Sequence, residues 1–235
     1  MKNENYIMGN KNLRIVNDTN YLGLSIDPII LCLFANINDN KEVLEIGSGT
    51  GALSLILASK YSNQITAVEI QEELIKISKE NFKLNNIDNK IKLINDDILK
   101  IYKDLPKYKY IISNPPYNKT SGIIPSNKVR SIATHEIKLD MDNLFMVITY
   151  LLDNTGSFYT IYPSYRLNEI YSCLAKYNLF ISRIRFVYPN INKPSNLVLL
   201  EIRKENCLNV VVEKPLILND LLGNYTEEIR GYINE

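Results

Sequence analysis

The tetrapeptide Asn114-Pro115-Pro116-Tyr117 has the residue types and spacing best suited to chemistry. It follows residues 108–112, an apolar and aromatic run typical of a buried parallel strand. Two successive prolines remove two backbone donors and fix two φ angles, so the chain leaves this strand in one rigid shape. The Asn114 side-chain oxygen and the Pro115 carbonyl can then hold the two N–H groups of a planar amine, such as that of adenine. Tyr117 offers a face on which the base stacks.

A turn without chemistry is the alternative interpretation of this tetrapeptide, because Asn and Pro are common turn residues. Ligand-binding residues at the ends of the neighbouring strands would favour the chemical interpretation over this alternative.

A glycine-rich turn follows an earlier predicted strand, in the segment VLEIGSGTGALS. Gly47, Gly49 and Gly51 let the backbone pass close to a ligand where side chains would clash. The pattern is G-x-G-x-G and not the dinucleotide pattern G-x-G-x-x-G, and a tight strand–helix connection is the alternative. The sequence has no G-x-x-x-x-G-K-[ST] motif, which favours a nucleoside over a nucleotide phosphate.

Acidic residues stand at the ends of the next two predicted strands. Glu69 occupies the position from which an acid holds the two hydroxyls of a ribose. Asp97 can accept a hydrogen bond from an adenine amine, with Ile70 and Ile98 on the two faces of the ring. Either acid can instead cap the following helix. Because ligands of open α/β sheets bind at the carboxyl ends of the strands, the sequence predicts a nucleoside site there.

Alternating strands and helices position these residues. The predicted strands are residues 42–46, 65–70, 91–95, 108–113, 156–163, 182–189 and 196–204, and the predicted helices are residues 27–37, 51–61, 71–86, 141–153 and 164–177. This order predicts a doubly wound, mostly parallel α/β sheet. The last two strands are separated only by a short connection, so they should be antiparallel neighbours. Residues 12–27 predict a hairpin around the polar segment NDTN.

The composition is that of a globular protein, with 235 residues, 46% hydrophobic and 23% charged. We expect a single domain, with a hairpin and helix in residues 1–40, a core in residues 41–204 and a tail in residues 205–235 packed on the core. The net charge of +1 requires nucleic-acid binding to come from local basic patches. Separated cysteines without a C-x-x-C pair, and the absence of a long apolar run, predict a cytoplasmic protein without a metal site or membrane span.

Two basic stretches predict contacts with nucleic-acid phosphates. The loop of residues 118–135 directly follows the tetrapeptide and contains no acid, and residues 183–200 also contain none. Solvated surface is the alternative for each stretch. The candidate phosphate ligands, including one on the predicted hairpin, are Arg14, Lys119, Lys128, Arg130, Arg183, Arg185 and Lys193.

The segments VLEIGSGTG, AVEI, NDDI and NPPY, in this order and spacing, resemble class I S-adenosylmethionine-dependent methyltransferases that methylate adenine N6 or glutamine N5. With the flanking segments LRIVNDTNYLGLSIDPIILCLFA, VRSIATHEI and PLILNDLLGNYTEEI, the chain is similar to bacterial tRNA1(Val) (adenine-37-N6)-methyltransferases from about residue 12 to residue 228. The resemblance implies a Rossmann-like class I sheet, S-adenosylmethionine as cofactor and the anticodon stem-loop of a tRNA as substrate.

The resemblance also implies roles for individual residues. LSID, residues 24–27, is similar to the family's N-terminal cofactor lid. The implied cofactor ligands are Ser25, Asp27, Glu45, Gly47, Gly49, Gly51, Glu69, Ile70, Asp97, Ile98 and Asn114. The implied catalytic residues are Asn114, Pro115, Pro116 and Tyr117. Relatives often have HRP where this chain has YPS at residues 162–164, which leaves an RNA contact of that basic residue without a counterpart.

Other functions share parts of this pattern. Glutamine methyltransferases of release factors use the same tetrapeptide, but they carry a helical domain before the glycine turn for which this chain has too little length. Ribosomal RNA and DNA adenine methyltransferases are further alternatives, and a DNA enzyme would need a separate target-recognition domain. From a different class, a non-catalytic RNA- or nucleoside-binding module would usually have lost the Asn or the Tyr of the tetrapeptide.

Overall fold

The computed structural model describes residues 2–6, 13–18, 25–117, 129, 131, 138–205 and 209–234. The strands there are β1 (Lys2–Tyr6), β2 (Arg14–Asp18), β3 (Val43–Ile46), β4 (Ile65–Glu69), β5 (Ile91–Asn95), β6 (Tyr108–Ser113), β7 (Leu152–Pro163), β8 (Phe180–Tyr188), β9 (Leu197–Arg203), β10 (Val211–Val212) and β11 (Leu216–Ile217). The helices are α1 (Asp27–Phe34), α2 (Ala52–Lys60), α3 (Glu72–Leu84), α4 (Ile98–Ile101), α5 (Met141–Leu151), α6 (Leu167–Lys176) and α7 (Glu227–Asn234).

Strands β3 to β11 form one sheet in the order β10-β8-β9-β7-β6-β3-β4-β5, with β11 also paired to β8. Strands β7, β6, β3, β4 and β5 are parallel neighbours. Strand β9 is antiparallel to β7 and to β8, which lie on either side of it. The predicted doubly wound sheet, mostly parallel with an antiparallel final strand, is therefore confirmed, and so is the antiparallel β8–β9 pair.

Helices cover both faces of the sheet, and the side chains of β6 show how. Tyr110 and Ile112 pack in the same core as residues of α1 and α2, whereas Ile111 packs in the core that contains α5 and α6. Successive side chains of a strand point to opposite faces. A strand buried on both faces reads as a continuous apolar run, which is why this strand was predicted with its exact bounds.

The N-terminal hairpin differs from the predicted one. Strand β2 pairs with β1 in antiparallel register, so this partner of β2 precedes residue 12. The first two residues of the segment NDTN belong to β2, and residues 19–24 lie outside the described residues. Polar residues typical of turns misled the prediction. Strand β2 is anchored by burial of Ile15 and Val16 and by a 2.7 Å hydrogen bond from Val16 N to Asn81 Oδ1.

The C-terminal segment lies along the β8 edge of the sheet. Strands β10 and β11 pair in parallel with β8, and Ile229 of α7 is buried in the apolar core. The division of the chain into one domain with these three parts stays a prediction.

No helix in the described parts of the chain has the length and apolar character needed to cross a membrane. Of the cysteines described, Cys32 and Cys173 are both free thiols.

Candidate active site

The loops that follow β3, β4 and β5 meet at one edge of the sheet. The main-chain N–H groups of Gly47 and Ser48 both donate to the Val68 carbonyl, at 2.9 and 3.1 Å. The N–H of Asp96 donates to the Glu69 carbonyl at 3.1 Å. These bonds join the glycine turn to the ends of the next two strands, as the parallel order of the strands predicts.

The three glycines of the turn have φ angles that other residues rarely adopt, +76° at Gly47, +56° at Gly49 and +83° at Gly51. A Cβ atom at Gly51 would lie 2.6 Å from Phe82 Cε1, so this glycine permits close packing of the turn on α3. A Cβ atom at Gly47 would meet no atom within 4 Å. The turn therefore faces open space at Gly47.

Glu69 fastens the glycine turn to the start of α3. Its Oε2 accepts a hydrogen bond from Gly49 N at 2.8 Å, and its Oε1 accepts one from Gln71 N at 2.9 Å. Burial raises the pKa of Glu69, and these two amides oppose that rise. Each carboxylate oxygen can accept a second hydrogen bond, so both remain able to receive ribose hydroxyls.

Glu45 lies beneath the turn, between β3 and α2, where only 2% of it is exposed. Its carboxyl accepts a hydrogen bond from Ser54 Oγ. Burial raises the pKa of Glu45 to about 7. The hydrogen bond from Ser54 opposes this rise in pKa, and the nearby charge of Glu69 adds to it. The resemblance implied a cofactor ligand at this position, and the structure places Glu45 in contact with Ser54 at the start of α2.

The residues at this edge fit a nucleoside-bearing cofactor. Ser48 is only 5% exposed, and its Oγ has no hydrogen-bond partner among the described residues. This buried hydroxyl and the open space at Gly47 lie side by side in one turn. A buried hydroxyl without a protein partner is the kind of group that a bound polar ligand satisfies. S-adenosylmethionine, when bound, supplies an electrophilic methyl group here.

Asp97 caps α4, because its Oδ1 accepts a hydrogen bond from Leu99 N at 3.0 Å. Ile98 is buried and Ile70 is half-buried. The helix-cap alternative is therefore correct for Asp97, and a contact with adenine would use its other oxygen. A carboxylate has two acceptor oxygens, so Asp97 can cap the helix and contact a ligand at the same time.

The Asn114-Pro115-Pro116-Tyr117 segment begins at the end of β6, where Ser113 Oγ donates to the Ile46 carbonyl at 2.7 Å. That bond places the tetrapeptide directly beside the end of β3 and its glycine turn. Pro115 is buried, and Asn114 is half-buried. Burial of Pro115 and the fixed φ angles of the two prolines limit the conformational freedom of this segment.

Tyr117 is tied to the start of α1, since its hydroxyl donates to Asp27 Oδ2 at 3.3 Å. Burial raises the pKa of Tyr117 to about 12, and the charge of Asp27 adds to the effect. Burial also raises the pKa of Asp27, which is 9% exposed, while the bond from Tyr117 lowers it. Ile26 occupies the N-cap position of α1, and Asp27 is the first helical residue.

Arg166 is a residue of this site that the sequence did not reveal. It is only 2% exposed, and its Nη1 donates to the Tyr117 carbonyl at 3.0 Å. Its other nitrogens pair with the Glu169 carboxylate at 2.7 and 3.1 Å, and its guanidinium lies 5.6 Å from the Tyr162 ring. In sequence, Arg166 and Glu169 have the spacing of an ordinary surface pair on a helix, so no pattern indicated burial.

Arg183 and Arg185, which the sequence predicts as phosphate ligands, are engaged in ion pairs within the protein. Arg183 pairs with Glu201 at 2.9 Å and with Glu213 at 2.6 Å, and Arg185 pairs with Glu228 at 2.5 Å. Both arginines therefore hold the C-terminal segment and β9 against β8. The acidic partners of these two arginines come from outside residues 183–200.

The other predicted RNA ligands have different outcomes. Arg14 lies at the end of α3, where its Nη2 donates to the Leu84 carbonyl at 3.3 Å, at the sheet edge opposite the site. Lys193 is exposed in the connection after β8, whose carboxyl end lies at the same edge as that of β6. Ser25, which was an implied cofactor ligand and not an RNA ligand, is exposed just before α1. Lys119, Lys128 and Arg130 lie outside the described residues.

Comparisons with known proteins show which proteins this chain resembles. Residues 26–139 match the family model for ribosomal RNA adenine dimethylase. The tRNA1(Val) (adenine(37)-N6)-methyltransferase of Aliivibrio salmonicida is 31% identical, over 76% of this chain and 76% of the relative. The protein of the same name from Shewanella sp. strain MR-7 is also 31% identical, over 88% of each chain.

Solved structures show the same fold. A predicted O-methyltransferase from Agrobacterium tumefaciens superposes with a TM-score of 0.69 at 15% identity, covering 88% of this chain and 95% of the other. TrmN from Thermus thermophilus has a TM-score of 0.56 at 15% identity, covering 76% of this chain and 48% of that one. At such identities the likeness shows the fold alone.

The fold and the strand-end site define an S-adenosylmethionine-dependent methyltransferase of the Rossmann-like class. More narrowly, the chain belongs to the family of tRNA1(Val) (adenine(37)-N6)-methyltransferases. The resemblance stated from the sequence, the fold class and the cofactor are thus confirmed. Among the described residues, no cluster of three His, Cys, Asp or Glu side chains could hold a metal ion.

Proposed function

We propose that this protein methylates N6 of an adenine in tRNA, at position 37 next to the anticodon, with S-adenosylmethionine as methyl donor. One observation carries the proposal: the rigid Asn114-Pro115-Pro116-Tyr117 segment leaves β6 immediately beside the glycine turn that follows β3. An amine held by this segment therefore lies next to the methyl donor. The names of relatives that are 31% identical support the choice of tRNA and of adenine 37.

The Asn114 Oδ1 and the Pro115 carbonyl accept the two N–H groups of the adenine amine. Two acceptors orient the amine and draw its lone pair out of conjugation with the ring, which raises its nucleophilicity. Tyr117 stacks on the base, and Asp27 and Arg166 hold that tyrosine from opposite ends. S-adenosylmethionine, when bound, would supply the methyl group, with its sulfur as the leaving group, and the two oxygens would hold the amine in line with that methyl group. The cationic amine then loses a proton to water, so no strong base is required.

The cofactor residues take up separate parts of S-adenosylmethionine. Gly47, Gly49 and Gly51 lie under its methionine part, where Ser48 offers a buried hydroxyl. Glu69 receives the ribose hydroxyls. Ile70 and Ile98 would hold the two faces of the adenine and Asp97 would accept from its amine, while Ser25 and Asp27 would belong to the lid. Glu45 acts from below, by supporting the turn and the strand that bears it.

An anticodon-loop adenine suits this site because it is already unpaired, which makes its extrusion into a pocket inexpensive. Lys193 faces the edge from which the RNA would approach. Lys119, Lys128 and Arg130, in the acid-free segment directly after Tyr117, complete the proposed phosphate contacts. Arg14, Arg183 and Arg185 are left out, because the first is remote from the site and the other two are engaged in ion pairs.

Ribosomal RNA is a second candidate substrate, favoured by the match of residues 26–139 to the ribosomal RNA adenine dimethylase family model. The chemistry at the adenine amine would be the same. The two candidates differ in the RNA that presents the adenine, and in the number of methyl groups added.

The test uses labelled S-adenosylmethionine and total tRNA from a strain that lacks the protein, with ribosomal RNA and a release factor assayed in parallel. The products are digested to nucleosides and amino acids and mapped, and Asn114→Ala protein serves as control. Label in N6-methyladenosine at position 37 of one or two tRNAs, absent with the variant, supports the proposal. Label in ribosomal RNA or in glutamine alone would overturn the substrate. No transfer despite cofactor binding would favour a binding module.

A further inference from the structure

Tyr165 presents an aromatic ring to solvent from a firmly held segment of chain. The side chain is 76% exposed, whereas Arg166, the next residue, is 2% exposed. On its other side, Ser164 N donates to the Asn196 carbonyl at 3.1 Å, and Ser164 Oγ donates to the Ser195 carbonyl at 2.6 Å. An exposed ring whose main chain is fixed on both sides loses little conformational entropy when it binds a ligand.

This ring lies beside the proposed catalytic segment. Strands β6 and β7 are parallel neighbours with Ser113 opposite Thr160, so the loops that leave the two strands emerge side by side. Arg166 joins those loops through its hydrogen bond to the Tyr117 carbonyl.

We propose that Tyr165 is a stacking platform for the nucleobase next to the target adenine in the substrate RNA. The inference rests on the proposed function and extends it to a second nucleotide. Base stacking on an exposed aromatic ring tolerates any base and is a main source of affinity for single-stranded RNA. When the target adenine turns into the site, its neighbour loses a stacking partner, and Tyr165 replaces that partner.

The surroundings of Tyr165 favour RNA as the occupant. The connection between β8 and β9, which anchors Ser164, carries the exposed Lys193. When an aromatic ring and a cation lie on neighbouring loops, the ring can stack on a base while the cation contacts a phosphate of the same strand. No acidic residue occurs in that connection, residues 189–196.

The experiment compares wild-type protein with Tyr165→Ala and Tyr165→Phe. The matched control is Tyr150→Ala, an exposed tyrosine near Lys107, which precedes β6 at the opposite edge of the sheet. Each protein is assayed for kcat, for KM with tRNA and for S-adenosylmethionine affinity. We expect Tyr165→Ala to raise KM for tRNA roughly tenfold or more, with cofactor affinity unchanged. Tyr165→Phe, which keeps the ring, should behave as wild type, and so should Tyr150→Ala.

Substrates with an abasic site on one side of the target adenine locate the contact. If Tyr165 stacks on that neighbour, removing the base weakens wild-type binding but has no further effect on Tyr165→Ala. Two results would overturn this inference while leaving the proposed function intact. One is an unchanged KM for tRNA in Tyr165→Ala. The other is that an abasic site, on whichever side of the target adenine, weakens binding by Tyr165→Ala as much as it weakens binding by wild-type protein. Absence of methylation of any RNA by wild-type protein would overturn the proposed function itself, and this inference with it.

Discussion

The Arg166 guanidinium donates a hydrogen bond to the Tyr117 carbonyl across 3.0 Å, and Arg166 is almost completely buried. This contact ties the loop after β7 to the rigid segment after β6. The carboxylate of Glu169 balances the charge of the guanidinium and fixes its plane. The stiffness of the proposed catalytic segment thus has two sources, its own prolines and a buried arginine that is distant in the sequence.

Arg166→Lys should lower kcat by about 10- to 100-fold, because an ammonium cannot bridge Glu169 and the Tyr117 carbonyl in the way that a planar fork does. S-adenosylmethionine affinity should remain near the wild-type value, since Arg166 contacts neither the glycine turn nor Glu69. Steady-state kinetics and calorimetric titration of the cofactor measure the two effects. Glu169→Gln, which keeps an oxygen acceptor, is the milder control. Parallel loss of cofactor affinity and kcat would indicate a general folding role for Arg166.

Tyr117 should act through its ring and not through its hydroxyl. Tyr117→Phe keeps the stacking face and loses only a 3.3 Å hydrogen bond to Asp27, so we expect activity close to wild type. Tyr117→Ala removes a stacking contact of about 1–3 kcal/mol per base and should lower kcat/KM for the RNA accordingly. Both variants are compared by kcat/KM at neutral pH, where a pKa of about 12 keeps the hydroxyl protonated. Equal losses in the two variants would assign the function to the hydroxyl.

Substitutions at two glycines of the turn should have different consequences. Gly47→Ala strains a left-handed residue by about 1–2 kcal/mol, and its methyl enters the open space proposed for the cofactor, so cofactor affinity should fall most. Gly51→Ala adds a clash with the Phe82 ring to the same strain and should lower thermal stability more. Thermal unfolding without cofactor and titration with cofactor separate the two. Unchanged cofactor affinity in a folded Gly47→Ala protein would argue against a ligand at that position.

Glu45 should make stability depend on pH. Its folded-state pKa, about 7, lies above its ordinary value of 4.5. Between these two pH values, the folded protein therefore binds one proton more than the unfolded protein. The contribution of protonated Glu45 to the free energy of unfolding is complete below pH 4.5 and is lost as the pH rises through 7. Glu45→Gln stays neutral and keeps an acceptor for Ser54. Relative to this variant, wild-type protein should lose up to about 3 kcal/mol of unfolding free energy over that range.

Denaturant unfolding at several pH values measures this difference. Glu42→Gln, at an exposed position three residues earlier, is the control and should follow the wild-type pH profile. Parallel curves for wild type and Glu45→Gln between pH 4.5 and 7 would show that Glu45 is ionised in the folded protein throughout.

The sequence predicts the central strands β3, β4 and β6 well because they are largely buried on both faces and leave nearly continuous apolar runs. Strands β5 and β6 have the bounds predicted for them. The site residues at strand ends could be predicted for a related reason, since parallel order alone brings Gly47, Glu69 and Asn114 to one edge. The β1–β2 pair was missed because β1, KNENY, is polar and has no strand pattern.

Contacts between distant parts of the chain were not predictable. A lone arginine looks the same in sequence whether it is buried, as Arg166 is, or exposed. Arg183 and Arg185 were assigned to RNA because local sequence contains no acid, yet Glu213 and Glu228 reach them from the C-terminal segment. Tyr165 was not singled out either, because nothing in a sequence indicates which tyrosine of many stands beside the active site.

The most direct measurement of the central claim is the single-turnover rate of methyl transfer to tRNA by Asn114→Ala protein, at saturating S-adenosylmethionine and RNA. If Asn114 holds the reacting amine, the rate should fall by about 100-fold or more, the loss typical of one preorganised polar contact to a reacting group. Cofactor affinity, measured on the same protein, should stay nearly unchanged. A rate close to wild type, or an equal loss of cofactor affinity, would contradict the assignment of the catalytic site to this segment.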